Sequence, residues 1–285
     1  MKRMSRRGEA ETEAEVQTEG VRPESSESSD SALASDPNFM TSLERGLAVL
    51  QAFTQERRIL TTSQISQRTG IPRAAVRRCL YTLAKLGFVA EDENRLFSLR
   101  PRVLKLGHAY LAGTPLAHAA QPVLRHISST LNESASVAIL DDDEILYIAR
   151  APVSRIMSID IHVGSRLPAF CTSMGRVLLA HAGPEVLEAF LDRAKFIQYT
   201  PRTIVSREGF RGALESIRTN GYSLVDQELE IGLRSIAVPI YGAEGKAVAA
   251  LNVGVQAARI SIAEMESRIL PVLREGAQEL ALLAV

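Results

Sequence analysis

The sequence predicts an α+β fold in which a helix joins two domains, and three observations support this prediction. A helix-turn-helix pattern followed by a hairpin pattern occupies residues 62–99. A helical stretch then ends at Gly113-Thr114-Pro115. From residue 116 onward, strand-like runs have helices before, between and after them, as in α+β sheet domains. We therefore expect a disordered acidic tail (1–38), a winged helix-turn-helix domain (39–100), a linker helix (101–115) and a domain with an antiparallel sheet (116–285).

The charge distribution supports this division. The 285 residues carry no net charge, which hides a strong asymmetry. Residues 1–37 hold 5 basic and 9 acidic side chains, residues 38–114 hold 12 and 5, and residues 115–285 hold 16 and 19. The excess of positive charge is thus confined to the segment with the helix-turn-helix pattern, as expected for a DNA-binding module.

The N-terminal tail is rich in Glu and Ser and almost free of large apolar side chains, so we expect it to be disordered. Its basic start has no apolar stretch behind it, which argues against a secretory signal. No apolar run approaches the roughly 18 residues that a membrane helix needs. Two cysteines without metal-ligand spacing fit a reducing compartment. We therefore expect a cytoplasmic protein without a membrane partner.

The first helix is predicted over residues 42–53. Thr41 and Glu44 have the spacing of a capping box. The apolar side of this helix is predicted to consist of Leu43, Gly46, Leu47, Leu50 and Phe53. Arg45 lies off this stripe. It either contacts a DNA phosphate or is an ordinary surface residue, and the sequence leaves both interpretations open. Residues 55–60 are interpreted as a connection.

The next two helices form the predicted helix-turn-helix. Thr61 or Thr62 can cap the first of them, and Gln64 completes a capping box with Thr61. Gly70 provides a left-handed stop. Pro72 opens the second helix at a position where its missing N–H costs nothing.

The second of these helices is amphipathic and basic. Its apolar stripe is predicted to comprise Val76, Cys79, Leu80, Leu83 and Leu86. Its opposite face holds Ala74, Arg77, Arg78, Tyr81 and Lys85, and Arg73 lies in its first turn. An ordinary solvated helix face is the alternative interpretation. The hairpin that follows favours DNA binding instead, because helix, turn, helix and wing occur in order.

The wing is predicted from two strand-like runs, Phe88 to Glu91 and Arg95 to Leu99, that flank a polar turn. This pattern is typical of a winged helix-turn-helix with its second helix in the DNA major groove. The residues that we expect at the DNA are Arg45, Thr62, Arg73, Arg77, Arg78, Tyr81, Lys85 and Arg95.

The remaining elements follow from apolar periodicity and breaker residues. After the linker, helices are predicted over residues 117–131, 173–180, 184–191, 207–220 and 262–283. Strands are predicted over residues 136–140, 145–150, 156–161, 222–225, 234–240 and 247–253.

Candidate catalytic groups do not form a recognisable constellation. Cys171 has no base placed by sequence, and Ser173 lacks a Gly-x-Ser-x-Gly frame. The five histidines show no ligand spacing, and Gly242–Lys246 does not match a phosphate-binding loop. We therefore expect no enzyme activity, no metal and no cofactor.

Three strings of this sequence stand out: Thr41-Ser-Leu-Glu-Arg-Gly-Leu-Ala-Val-Leu50, Ile71-Pro-Arg-Ala-Ala-Val-Arg-Arg78 and Asp226-Gln-Glu-Leu-Glu-Ile-Gly-Leu-Arg-Ser-Ile-Ala-Val-Pro-Ile240. Together they resemble the IclR family of bacterial transcription regulators. Within the family, the chain is most similar to the pca/pob branch, which regulates protocatechuate, 4-hydroxybenzoate and β-ketoadipate catabolism. The resemblance extends from about Phe39 to the C-terminus.

This resemblance implies a C-terminal GAF-like effector-binding domain and assembly as a homodimer or a dimer of dimers. It also implies double-stranded promoter DNA as a partner, with RNA polymerase as a further candidate. The effector would be a small carboxylate, with β-ketoadipate favoured over protocatechuate and 4-hydroxybenzoate, and transcriptional activation is the expected outcome. Two alternative functions remain open: a repressor of the same genes, and a metabolite-binding enzyme domain over residues 116–285.

Effector-binding residues are expected on both sides of a pocket. Thr172 or Ser173 can cap a helix that begins near Met174, and carboxylates favour helix N-termini. The resemblance assigns Thr172, Ser173 and Met174 to one wall, and Asp226, Ser235 and Asn252 to the opposite walls. Arg155 and Arg166 could each present a bidentate fork to a carboxylate, and the sequence leaves open which of them points inward. For each residue, a structural polar role is the alternative.

Overall fold

The computed structural model describes residues 36–54, 56–153 and 161–283. It contains two compact units, with the boundary between Val103 and Leu104. Nearly all of the predicted tail lies outside the described residues, as do Arg155 and most of the predicted strand over residues 156–161. The predicted α+β class and the N-terminal helix-turn-helix are confirmed.

The first unit is a small three-helix domain with a three-stranded sheet. Its elements in chain order are α1 (Thr41–Gln51), β1 (Ile59–Leu60), α2 (Thr62–Thr69), α3 (Arg73–Lys85), β2 (Val89–Glu91), β3 (Phe97–Leu99) and a 3₁₀ turn (Pro101–Val103). The strands are antiparallel in the order β1-β3-β2. Ile65, Val76, Leu80 and Phe97 meet in its core.

The local features predicted for the helix-turn-helix are confirmed. The Thr61 hydroxyl accepts a hydrogen bond from the Gln64 amide, and the Gln64 side chain accepts one from the Thr61 amide, which makes the expected capping box. Gly70 follows α2 in the left-handed conformation at φ 71°, and Pro72 directly precedes α3.

For α1, one prediction is wrong and another holds only in part. The capping box at α1 does not form, because Met40 is the N-cap and no side chain caps the helix. Leu50 and Phe53 of the predicted apolar stripe pack in or against the core together with Val49, whereas Leu43 and Leu47 are 58% and 48% exposed. Packing against α3 therefore selects which side of α1 is buried.

The connection before α2 contains the short strand β1, whose two residues pair with Phe97 and Ser98 of β3. Two residues are too few to show an alternating pattern in sequence. Leu86 at the end of α3 is also exposed, because it follows the last turn that packs on the core.

The second unit is built on a six-stranded antiparallel sheet. Its helices are α4 (Leu104–Ala112), α5 (Pro115–Leu131), α6 (Ser173–His181), α7 (Pro184–Arg193), α8 (Arg207–Asn220), α9 (Ile262–Glu264) and α10 (Leu270–Ala281). A 3₁₀ turn (Ala169–Cys171) precedes α6, and a π-helical turn (Met265–Ile269) joins α9 to α10. Its strands are β4 (Ser134–Asp141), β5 (Glu144–Ala151), β6 (Arg166–Pro168), β7 (Ser223–Asp226), β8 (Leu233–Tyr241) and β9 (Ala247–Gln256), in the order β6-β5-β4-β9-β8-β7.

Two apolar cores cover the two faces of this sheet. α5 and α10 pack on one face, and the 3₁₀ turn with α6, α7 and α8 packs on the other. Because side chains alternate along a strand, Leu251 and Val253 of β9 face α5 and α10, whereas Ala250 faces α6. The same alternation places Asn252 on the α6 face of the sheet.

No helix within the described residues has the length and apolar character to cross a membrane.

Candidate functional site

The exposed face of α3 is cationic. Arg73, Arg77, Arg78 and Lys85 are all exposed, while Val76, Leu80 and Leu83 of the same helix are buried. The sequence of α3 contains no acidic residue, so these charges are not neutralised along the helix. This face can therefore bind an extended polyanion.

Aromatic and wing residues flank these charges. Tyr81 is exposed, and the Lys85 ammonium lies 5.4 Å from the centre of its ring. Arg95 is exposed in the turn between β2 and β3, in the left-handed conformation at φ 59°. Arg45 is exposed on α1, and Thr62 is half-buried in the first turn of α2.

A cavity of about 50 Å³ lies between the N-terminus of α6 and the sheet of the second unit. Five of the residues predicted for the effector site line it, namely Thr172, Ser173, Met174, Ser235 and Asn252. The structure thus brings together side chains that are up to 80 residues apart in the sequence. By volume the cavity holds a few water molecules, so a larger occupant requires its walls to move.

The N-terminus of α6 forms one wall of this cavity. The Thr172 hydroxyl caps the helix, since it accepts a hydrogen bond from the Gly175 amide at 3.3 Å and donates one to the Pro168 carbonyl at 3.0 Å. Ser173 is the first residue of the helix and is only 1% exposed. Within the described residues its hydroxyl has no hydrogen-bond partner. A helix N-terminus with an unused buried hydroxyl is suited to bind a carboxylate.

The opposite wall contributes polar groups that the sequence analysis missed. Tyr147 and Arg150 of β5 line the cavity together with Asn252 of β9. Burial raises the pKa of Tyr147 to about 12, so its phenol stays neutral and can donate a hydrogen bond. One guanidinium nitrogen of Arg150 donates to the Ser136 hydroxyl at 2.9 Å. In the sequence, the feature that could have indicated this wall is Arg150, an arginine within a mostly apolar strand.

Two predicted effector residues are not on the cavity. Asp226 is bound by the guanidinium groups of Arg234 and Arg202. Burial alone would raise the pKa of Asp226, but the hydrogen bonds from Arg234 and Gln227 hold it below the ordinary value. Arg166 lies at the surface, where it pairs with Asp141 and Glu144 at 2.7 Å each. Each of these charges therefore already has a structural partner.

Cys171 also lines the cavity, and its burial disfavours the thiolate form. It is fully buried, and this burial raises the pKa of its thiol to about 12. At neutral pH the group is a thiol rather than a nucleophilic thiolate. Within the described residues, no group of three or more His, Cys, Asp or Glu side chains could hold a metal ion.

A buried ion pair lies behind the cavity. The two terminal nitrogens of Arg176 each donate to one carboxylate oxygen of Glu228 at 2.6 Å, and the Arg176 Nε donates to the Phe170 carbonyl at 2.8 Å. The Arg176 side chain is 3% exposed. Sequence analysis did not identify this pair, because 52 residues separate its members.

Comparison with known proteins gives consistent matches to both units. Residues 42–93 match the model described as the IclR helix-turn-helix domain, and residues 108–282 match the C-terminal model of bacterial IclR transcriptional regulators. The Pca regulon regulatory protein of Pseudomonas putida is 54% identical over 250 residues, which cover 87% of this chain and 86% of that protein. The p-hydroxybenzoate hydroxylase transcriptional activator of Acinetobacter baylyi is 36% identical over 248 residues, covering 85% and 91%.

A solved structure shows the same fold. It is an IclR homolog complexed with 4-hydroxybenzoate, from Microbacterium hydrocarbonoxydans. It has 28% sequence identity and a TM-score of 0.71, and the match covers 85% of this chain and 98% of that one.

Proposed function

Because this chain belongs to the IclR family of DNA-binding transcription regulators, we propose that it activates genes of aromatic-acid breakdown when a small carboxylate occupies the cavity beside α6. The names of its relatives support the choice of genes, since they include a Pca regulon regulator and an activator of p-hydroxybenzoate hydroxylase. The activator among them supports activation over repression.

The cationic face of α3 is the proposed DNA-binding surface. Arg73, Arg77, Arg78 and Lys85 would divide between base edges and phosphates, and Arg95 of the wing would add a backbone or minor-groove contact. These side chains point to solvent and are available to DNA without rearrangement of the core.

The observation that supports a carboxylate effector best is the Ser173 hydroxyl, which is buried at the N-terminus of α6 and lines the cavity. A carboxylate there would accept its hydrogen bond together with those of the helix N-terminus. Arg150 and Tyr147 across the cavity favour a ligand with a second polar group. β-Ketoadipate has a second carboxylate for Arg150, so we place it first, ahead of protocatechuate and 4-hydroxybenzoate.

Self-association is part of the proposal. In the first unit, Met40, Leu43 and Leu47 present exposed apolar side chains at and along α1. In the second unit, Leu104, Leu106 and Tyr110 do so along α4. Such apolar stretches favour burial against another copy of the chain. Effector binding would then shift the population of the arrangements of the dimer, and with it the spacing of the two α3 helices.

The test is titration of the full-length protein with each of the three acids by calorimetry. We expect one acid to bind, and Ser173→Ala to weaken its binding about 10- to 100-fold, because a hydrogen bond to a charged group contributes roughly 1.5–3 kcal/mol. Ser223→Ala is the matched control, since the Ser223 hydroxyl is equally buried and also lacks a partner among the described residues, but Ser223 is not among the residues that line the cavity. Equal affinity in wild type and Ser173→Ala, or an equal loss in Ser223→Ala, would contradict the assignment.

A promoter fused to a reporter gene tests the transcriptional part. We expect the bound acid to raise expression in the presence of the wild-type protein. Expression that falls as the protein is added, with or without the acid, would identify a repressor instead.

A further inference from the structure

We propose that Arg176 and Glu228 are positioning residues for the effector, because their ion pair sets the separation of two walls of the cavity. This inference rests on the proposed function, since it concerns binding in the same cavity. Neither side chain is among the residues that line the cavity. Their influence on a ligand would be exerted through the residues that they hold in place.

One wall is a rigid block that ends at Arg176. A Cβ atom added at Gly175 would lie 2.2 Å from the Ala169 carbonyl oxygen, so α6 packs directly on the backbone of the 3₁₀ turn. The Thr172 hydroxyl donates to the Pro168 carbonyl, and the Arg176 Nε donates to the Phe170 carbonyl. These contacts make residues 168–176 one unit, which carries the Ser173 hydroxyl into the cavity.

The other wall is the turn between β7 and β8, which Glu228 anchors. One Glu228 carboxylate oxygen accepts a hydrogen bond from the Ile204 amide at 2.9 Å, and the Thr203 hydroxyl donates to the Glu228 carbonyl at 2.6 Å. Leu229, the next residue, lines the cavity, and so does Leu233 at the start of β8. The ion pair therefore joins the wall that carries the polar group to the wall that carries these apolar side chains.

The physical chemistry of buried ion pairs indicates that the pair between Arg176 and Glu228 positions the two walls rather than adding stability. Removing two charges from water is costly, and well-packed apolar residues in place of such a pair are often neutral or stabilising. A two-pronged contact between guanidinium and carboxylate, in contrast, defines both the distance and the orientation of its partners. The pair between Arg176 and Glu228 has this two-pronged form, with 2.6 Å at both contacts.

The test combines an apolar replacement with a conservative one. In the double variant Arg176→Met/Glu228→Leu both charges are removed together, so no unpaired charge is left buried. Arg176→Lys keeps the charge but loses the two-pronged contact. The control is Arg211→Met/Glu188→Leu, which removes an arginine–glutamate pair at the surface between α7 and α8. Each protein is titrated with β-ketoadipate, protocatechuate and 4-hydroxybenzoate, and thermal unfolding of each is recorded without ligand.

We expect the apolar double variant to remain folded and to bind the preferred acid at least 10-fold more weakly than wild type. Its preference between the six-carbon dicarboxylate and the ring acids should also decrease, because the separation of these two walls determines whether a chain or a ring fits between them. Arg176→Lys should recover part of the affinity and the selectivity, and the control should match wild type. A purely structural role would lower the thermal midpoint but leave the ratio of the affinities unchanged.

Two results would overturn the proposal. One is wild-type affinity and selectivity in a folded Arg176→Met/Glu228→Leu or a folded Arg176→Lys protein. The other is failure of both Arg176 variants to fold, which would show that the pair serves stability. The wild-type titration separates this inference from the proposed function: if wild type binds none of the three acids, the proposed function fails and the positioning role fails with it.

Discussion

Replacement of Arg77 and Arg78 by alanine tests the proposed DNA-binding surface most directly. Both side chains are exposed on α3, and within the described residues neither guanidinium has a hydrogen-bond or ion-pair partner. Alanine also has the highest helix propensity. The double variant should therefore fold like wild type, and any loss of DNA binding would come from lost contacts.

The size of the loss depends on what each arginine contacts. An arginine that contacts base edges contributes roughly 1–3 kcal/mol, so two of them together contribute about 2–6 kcal/mol, or roughly 30-fold to 25,000-fold in affinity. An arginine that contacts a phosphate weakens binding to all sequences, and its loss lowers the slope of log affinity against log salt by about 0.9. The affinity for unrelated DNA and the salt slope thus distinguish the two roles.

The assay is fluorescence anisotropy with a promoter fragment and an unrelated fragment of equal length, over roughly 50–200 mM salt. Arg125→Glu is the control, because Arg125 is exposed on α5 in the other unit and the substitution changes the net charge by the same two units. We expect loss of promoter binding in the double variant and little change in the control. Wild-type affinity in Arg77→Ala, Arg78→Ala and the double variant would refute the placement of α3 in the groove.

Two further predictions concern stability. Gly175→Ala places a Cβ atom 2.2 Å from the Ala169 carbonyl oxygen, so we expect a fall of several degrees in the thermal midpoint, and an unchanged midpoint would contradict the close packing of α6. The pKa of Tyr147 is raised from 10 to about 12 by burial, so its contribution to the free energy of unfolding is complete below pH 10 and is lost as the pH rises from 10 to 12. Denaturant unfolding across this range should show a smaller decline for Tyr147→Phe than for wild type, and equal declines would exclude this burial effect.

The features of the first unit that sequence analysis predicted well depend on near neighbours. The capping box at Thr61, the stop at Gly70 and the start of α3 after Pro72 each involve residues within about four positions of one another. The physical rules for caps and turns act over that range. For the same reason, the basic face of α3 could be identified from helical periodicity alone.

The sequence was least informative where packing between distant segments decides the outcome. The sequence of α1 offers Leu43 and Leu47 as a plausible apolar stripe, but packing on α3 buries Val49 instead. Asp226 was assigned to the effector site through the family resemblance, but Arg234 of the adjacent strand binds its carboxylate. Neither result follows from the conformational preferences of residues that are close in the sequence.

The sequence by itself determined a basic winged helix-turn-helix, the order of its helices and wing, and a following sheet domain with a helix N-terminus at Ser173. Only the tertiary structure decided that this N-terminus faces Tyr147, Arg150 and Asn252 across a cavity, and that Glu228 lies against Arg176 behind it. The reason is physical: hydrogen bonds within a helix or turn join residues close in the chain, whereas a cavity forms where antiparallel strands and a helix from distant segments pack together.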